Sequence, residues 1–174
     1  MRRFQFLLLD AGPIIKLFEL DLWDSLIEKC DVTISRIVAN EAKYASQEYE
    51  DISIDLEAYE EQGRIRILEV ETSVVKTFYD KLDAVYKDIV HDGEKETLAL
   101  LCDSPENWSV CAADKAVFRV LGLLGKAARG ISLEEILTAL GQSPSTLEPQ
   151  YTKKYRDTWT RIGQADFIQG QGLV

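Results

Sequence analysis

Histidine and cysteine are scarce in this chain, with one His and three Cys among 174 residues. The cysteines, Cys30, Cys102 and Cys111, are odd in number and show no CxxC spacing. That argues against a disulfide framework and against a zinc site, and leaves reduced, buried thiols as the expectation. The lone histidine, His91, either shuttles protons or is a turn residue with no chemical task. Basic residues are also outnumbered: 20 Lys and Arg face 30 Asp and Glu, giving a formal net charge of -10 and pI ≈ 4.7. A broad basic face that binds nucleic acid by counterion release is therefore excluded, and any nucleic-acid partner must be held locally, through metal ions or a small basic patch. No run approaches the ~20 apolar residues needed to span a bilayer. Arg2 and Arg3 precede an apolar run that is too short for a secretion signal and ends at Asp10 without a small-residue cleavage site. The expectation is a cytoplasmic protein with no membrane partner.

What is present is ordinary core material, 46% hydrophobic against 29% charged, which suits one globular domain. The informative stretch begins at Phe6, where Leu7-Leu8-Leu9 ends in Asp10 and Gly12-Pro13 opens a helix with Ile14, Leu17 and Phe18 at helical spacing. A short apolar run of this kind reads as a strand buried on both faces of a parallel sheet. Asp10 then stands at the carboxyl end of that strand, where ligands bind in open α/β sheets. Capping the following helix is the competing reading.

Further along, Asp31 to Ser35 reads as a second strand, with Ser35 capping a helix that carries Ile37, Val38 and Glu41. The acid-rich stretch from Glu48 to Glu61 reads as a solvated helical hairpin. Gly63 stops it, and Arg64 to Val70 alternates as a strand. One long helix is predicted from Ser73 through Ile89, interrupted by His91-Asp92-Gly93 before a new helix at Glu94. Trp108 to Ala112 is a third buried strand leading to Asp114, and Ser132-Leu133-Glu134-Glu135 is a capping box. The alternation of strands and helices predicts a three-layer α/β/α sandwich with a mainly parallel sheet of four or five strands. We place the main domain over residues 1–141. A polar extension over 142–174, with Pro144 and Pro149, ends in one helix packed on that domain.

Asp10, Glu41, Glu96 and Asp114 stand apart from the surface acids, because adjacent parallel strands bring all four to one sheet edge. Carboxylates gathered in one cleft raise each other's pKa values unless a hard cation neutralises them. Oxygen ligands suit Mg²⁺ or Mn²⁺, and such a site points to phosphoryl chemistry. Glu94 lies in the first turn of its helix, where the dipole favours an acid with or without a metal. Gly12 allows a tight turn or a close backbone approach. Lys115 and Arg119 either touch substrate phosphates or offset nearby acids. Tyr151, Tyr155 and Trp159 recur every four residues among Lys153, Lys154, Arg156 and Arg161, a pattern that either stacks bases or packs on the domain.

Four blocks in order, Leu9-Asp10-Ala11-Gly12-Pro13-Ile14-Ile15, Ile37-Val38-Ala39-Asn40-Glu41, Asp92-Gly93-Glu94-Lys95-Glu96-Thr97-Leu98-Ala99-Leu100 and Ala113-Asp114-Lys115-Ala116, resemble the PIN domain family over roughly residues 4–140. The resemblance implies a Mg²⁺- or Mn²⁺-dependent endoribonuclease that cleaves single-stranded or structured RNA, leaving a 5′-phosphate and a 3′-hydroxyl. It implies Asp10, Glu41, Glu96 and Asp114 as the acidic quartet, in which Asp10, Glu96 and Asp114 hold the metal and Glu41 completes the cluster, with Glu94 reaching the metal directly or through water. It also implies a homodimer and, as in VapBC-type toxin–antitoxin pairs, a small inhibitory partner protein. Ala112 replaces the hydroxyl the family often places two residues before the last acid. Val120 to Gly125 leaves little room for a fifth strand. These departures keep open the alternative of a PIN-like nucleic-acid-binding or protein-interaction module with weak catalysis.

Overall fold

The computed structural model describes residues 7–47, 49–143 and 146–174. Arg2, Arg3, Phe6, Glu48 and Pro144, named above, lie outside the described residues. Five parallel strands make the central sheet: β1 (Leu7–Leu9), β2 (Val32–Ser35), β5 (Arg66–Leu68), β6 (Ser109–Cys111) and β7 (Gly130–Ile131), in the order β5-β2-β1-β6-β7. The fifth strand, for which the sequence left little room, is present as the two residues of β7 beside Val110 and Cys111.

The strands are short and continuously apolar because helices cover both faces. Successive residues of β1 serve opposite layers. Leu9 packs with Ile14, Leu26, Ile34 and Leu137, while Leu8 packs with Trp108, Val117, Phe118 and Tyr86. The first layer is built from α1 (Ala11–Glu19), α2 (Trp23–Lys29), α3 (Arg36–Glu41), α4 (Leu56–Glu61) and α9 (Leu133–Ala139). The second comes from α5 (Thr72–Tyr79), α6 (Ala84–Ile89), α7 (Asp92–Asp103) and α8 (Lys115–Leu123). This is the three-layer α/β/α sandwich that the alternating pattern predicts.

Two local readings need correction. In the stretch placed in a helical hairpin, β4 (Glu50–Ser53) instead pairs antiparallel with β3 (Tyr44–Gln47), and among the described residues of that stretch only α4 is helical. The single helix expected from Ser73 to Ile89 is two, because the chain turns after Tyr79 and restarts when Asp83 accepts the Tyr86 amide. Cys30 and Cys111 are buried, whereas Cys102 is partly exposed.

The last helix, α10 (Lys153–Ile168), lies against α8 at backbone distance. A β-carbon on Gly122 would run into the Thr160 carbonyl, and one on Gly163 into the Arg119 carbonyl. The crossing is locked by a buried ionic cluster: Arg119 donates through Nε to Asp166 Oδ2 at 2.8 Å, and Tyr86 Oη donates to the same oxygen at 2.6 Å. Arg156 adds a forked pair to Glu135 of α9, with bonds of 2.9 and 2.8 Å. Thus 146–174 is packed against both the α8 and the α9 side of the sheet.

Candidate metal centre and acidic pocket

The chain leaves β1 toward β2 and β5 on one side, then returns to β6 on the other, so the sheet reverses order between β1 and β6. At such a switch point the loops leaving adjacent strands diverge and open a crevice at the carboxyl edge. Asp10 leaves β1 there and Asp114 follows β6, held in register by the Asp10 amide donating to the Cys111 carbonyl at 3.0 Å. Gly12 makes the closeness possible, since a β-carbon on it would stand 2.8 Å from Ala113 Cβ. The crevice is a pocket of about 520 Å³ lined by Asp10, Gly12, Glu41, Glu94 and Asp114, with Pro149, Gln150 and Tyr155 closing one wall.

The two strand-end aspartates differ in what they do locally. Asp114 caps α8, its Oδ1 accepting from the Ala116 amide at 2.6 Å. Asp10 occupies the cap position of α1 without taking the amide a capping side chain takes. Asp10 as a residue is 6% exposed, and its pKa is pushed up to about 7 by burial first, then by Glu94, with Glu41 and Asp114 adding to the effect against the Ala11 amide. Capping alone leaves such a carboxylate unexplained.

Glu94 reaches the pocket from the first turn of α7 and is fixed there because the His91 amide donates to its Oε2 at 2.7 Å. Burial and the Asp114 charge hold its pKa above the usual carboxylate range. Glu41 ends α3 and lies over the first turn of α7, where a β-carbon on Gly93 would meet its Oε2 at 2.8 Å. Burial, Asp92 and Glu96 raise its pKa as well.

Glu96 takes another place. It is buried on the adjoining side of α7, in a smaller cleft with Ile37, Val70 and Lys95, and its Oε2 accepts from the Ile37 amide at 3.2 Å. There it ties α7 to the start of α3, beside the bond from Val38 to Ser35 Oγ. The pocket therefore gathers Asp10, Glu41, Glu94 and Asp114, and Glu96 supports it from behind Glu41. Arg119 is spent on Asp166 and Tyr86 and does not line the pocket, whereas Lys115 is exposed at the start of α8. His91 is exposed and its Nδ1 stands 3.6 Å from Glu94 Oε2. Sequence reasoning missed Pro149 and Gln150 as wall residues, and nothing in their local pattern marks them.

The donor set can be weighed against a divalent cation. Every charged side chain lining the pocket is a carboxylate, none is basic, and three of the four acids carry raised pKa values. Oxygen donors of this charge fit Mg²⁺ or Mn²⁺, and a cation would relieve the repulsion. Among the described residues no three His, Cys, Asp or Glu side chains already converge on one point as a metal group.

Fold and pocket together define a parallel α/β/α protein with an acidic, oxygen-only site at its topological switch point. No protein-family model, no curated protein and no solved structure matches the chain. Among the described residues no helix is long and apolar enough to cross a membrane.

Proposed function

We propose that this chain is a PIN-like, Mg²⁺- or Mn²⁺-dependent endoribonuclease acting on single-stranded RNA. The observation that carries the reading is Asp10, a buried strand-end carboxylate pushed up to about 7 among Glu94, Glu41 and Asp114 with no basic side chain lining the pocket. Asp114 and Glu94 also serve the starts of α8 and α7, but Asp10 caps nothing, and a buried strand-end carboxylate of this kind suits metal-assisted hydrolysis of a phosphodiester. Asp10, Glu94 and Asp114 would hold the cation, and Glu41 completes the acidic ring. A divalent ion bound there supplies Lewis acidity and neutralises charge on the phosphate. In the reaction water adds to phosphorus and the bond to O3′ breaks, leaving a 5′-phosphate and a 3′-hydroxyl. Glu96 acts as a positioning residue, holding α3 through Ile37 so that Glu41 stays over Gly93. The toxin half of a toxin–antitoxin pair, with a small inhibitory partner and a homodimeric assembly, is the setting we favour.

Cleavage of a mixed single-stranded RNA pool with Mn²⁺, with Mg²⁺ and with chelator tests the proposal. Wild type should cut only with metal, and Asp10→Asn should lose activity by about a thousandfold or more. Glu94→Gln should cost more than Glu96→Gln, because only Glu94 lines the pocket. Equal cleavage by wild type and Asp10→Asn would sink the nuclease. A second reading, a PIN-like binding or interaction module with weak catalysis, is favoured by Ala112 at the position of the orienting hydroxyl and by the engagement of Glu96 with Ile37. Mn²⁺ binding without cleavage of any RNA would select it.

A further inference from the structure

The helix that closes the pocket wall also carries an aromatic pair. Tyr155 and Trp159 stand one turn apart on α10 in an edge-on contact, with ring centroids 6.2 Å apart and planes at 61°. Tyr155 lines the acidic pocket, and Trp159 continues the surface along the helix. Of the three tryptophans, Trp23 and Trp108 are each 2% exposed and belong to the core, whereas Trp159 packs on the core with part of its ring in solvent. Lys115, the residue after Asp114, holds its ammonium 5.2 Å from the Trp159 ring centroid.

Lys115 differs from Lys16, Arg119 and Arg156 in its partners. Lys16 is paired with Glu19 and Glu148, Arg119 with Asp166, and Arg156 with Glu135 and Asp157. No ion pair among the described residues includes Lys115, although it follows an aspartate in a chain of net charge -10. An exposed ammonium beside an aromatic face, at the rim of an acidic pocket, matches what a nucleotide presents: a phosphate one bond away from a sugar that carries a flat base. Stacking on such a face tolerates any base, and a Lys ammonium is a ready point-charge contact for a phosphate.

We propose that Lys115, Trp159 and Tyr155 form a nucleotide-binding platform beside the acidic pocket. It takes a phosphate of single-stranded RNA on the Lys115 ammonium and the adjoining base on the aromatic pair. The platform rests on the nuclease reading for its substrate and adds to it the place where the strand next to the scissile bond lies.

The test is titration of the full-length chain with a short oligouridylate in Mn²⁺, followed by intrinsic tryptophan fluorescence and by cleavage kinetics. Trp159 is the tryptophan open to solvent, so base stacking should quench its emission. Trp159→Phe should abolish the quench. Lys115→Gln should weaken binding and raise KM about tenfold, the scale of one lost contact of this kind, with kcat nearly unchanged, and Lys115→Arg should restore both. The exposed Lys115 keeps the test decisive if Trp159→Phe folds poorly, which thermal unfolding will show. Unchanged KM and quench in Lys115→Gln overturn the platform and leave the nuclease standing. A Lys115-dependent quench without cleavage supports the platform and overturns the nuclease. The absence of both a quench and a KM effect overturns the platform.

Discussion

A carboxylate as enclosed as Asp10 works against folding whenever it is ionised. In the metal-free protein its pKa of about 7 lies above the unfolded value of 3.8. Below about pH 4 both states hold the proton and there is no penalty. Between about 4 and 7 the unfolded chain releases a proton the native state keeps, so stability falls as pH rises; above 7 the loss is constant, at most about 4 kcal/mol. Asp10→Asn should therefore raise the melting temperature of metal-free protein at pH 8, with the difference vanishing near pH 4. Mn²⁺ should stabilise wild type and not the variant. Gly93→Ala probes the neighbouring acid: its new β-carbon would meet Glu41 Oε2 at 2.8 Å, and a flexible carboxylate end can swing away. We expect a melting temperature within a few degrees of wild type and a kcat lowered about tenfold or more, since small displacements of positioned groups are costly in rate. Equal kcat would remove Glu41 from the site.

Between elements, the joint of α8 and α10 deserves the sharpest prediction. Arg119→Ala leaves Asp166 without its guanidinium and uncovers the Tyr86 ring, and should cost about 2 kcal/mol in urea unfolding while leaving turnover per folded molecule unchanged. A loss of turnover at full stability would return Arg119 to the substrate. At this scale the sequence was readable where a residue pattern has a local cause. Ser35 and Ser132 cap as their spacing predicts, and apolar runs ending in Asp10 and leading to Asp114 are sheet strands meeting at the switch point. The hairpin of β3 and β4 was not, because its strands are short and β4 is acidic, with Ala45 its buried apolar anchor and Ile54 just beyond. Glu94 and Glu96 illustrate a different limit. Two residues apart on a helix they point about 200° apart, and which one faces the pocket depends on how α7 is rotated against the sheet. That angle is set by the tertiary packing of Leu98, Ala99 and Leu101. Pro149 and Gln150 reach the pocket only through the docking of α10, which hinges on Gly122 and Gly163, two glycines far apart in sequence.

For the molecule as a whole, a net charge of -10 means that RNA, on the proposed reading, would be held at one place against a repulsive background. The binding constant should then fall gently with salt, with a log–log slope between about -0.7 and -1.4 for one or two phosphate contacts on a single strand. A slope several times steeper would call for a basic surface instead of one or two local contacts. The docking of α10 has one more consequence. Tyr151 Oη donates to the Gly12 carbonyl at 3.3 Å across 139 positions of sequence, and Tyr155 completes the pocket wall. During synthesis, when the chain emerges at about 5–20 residues per second, the acids appear long before that wall does. A nascent chain bearing Asp10 through Asp114 is still an open crevice, and the finished pocket comes into being only after α10 has left the ribosome and seated against α8.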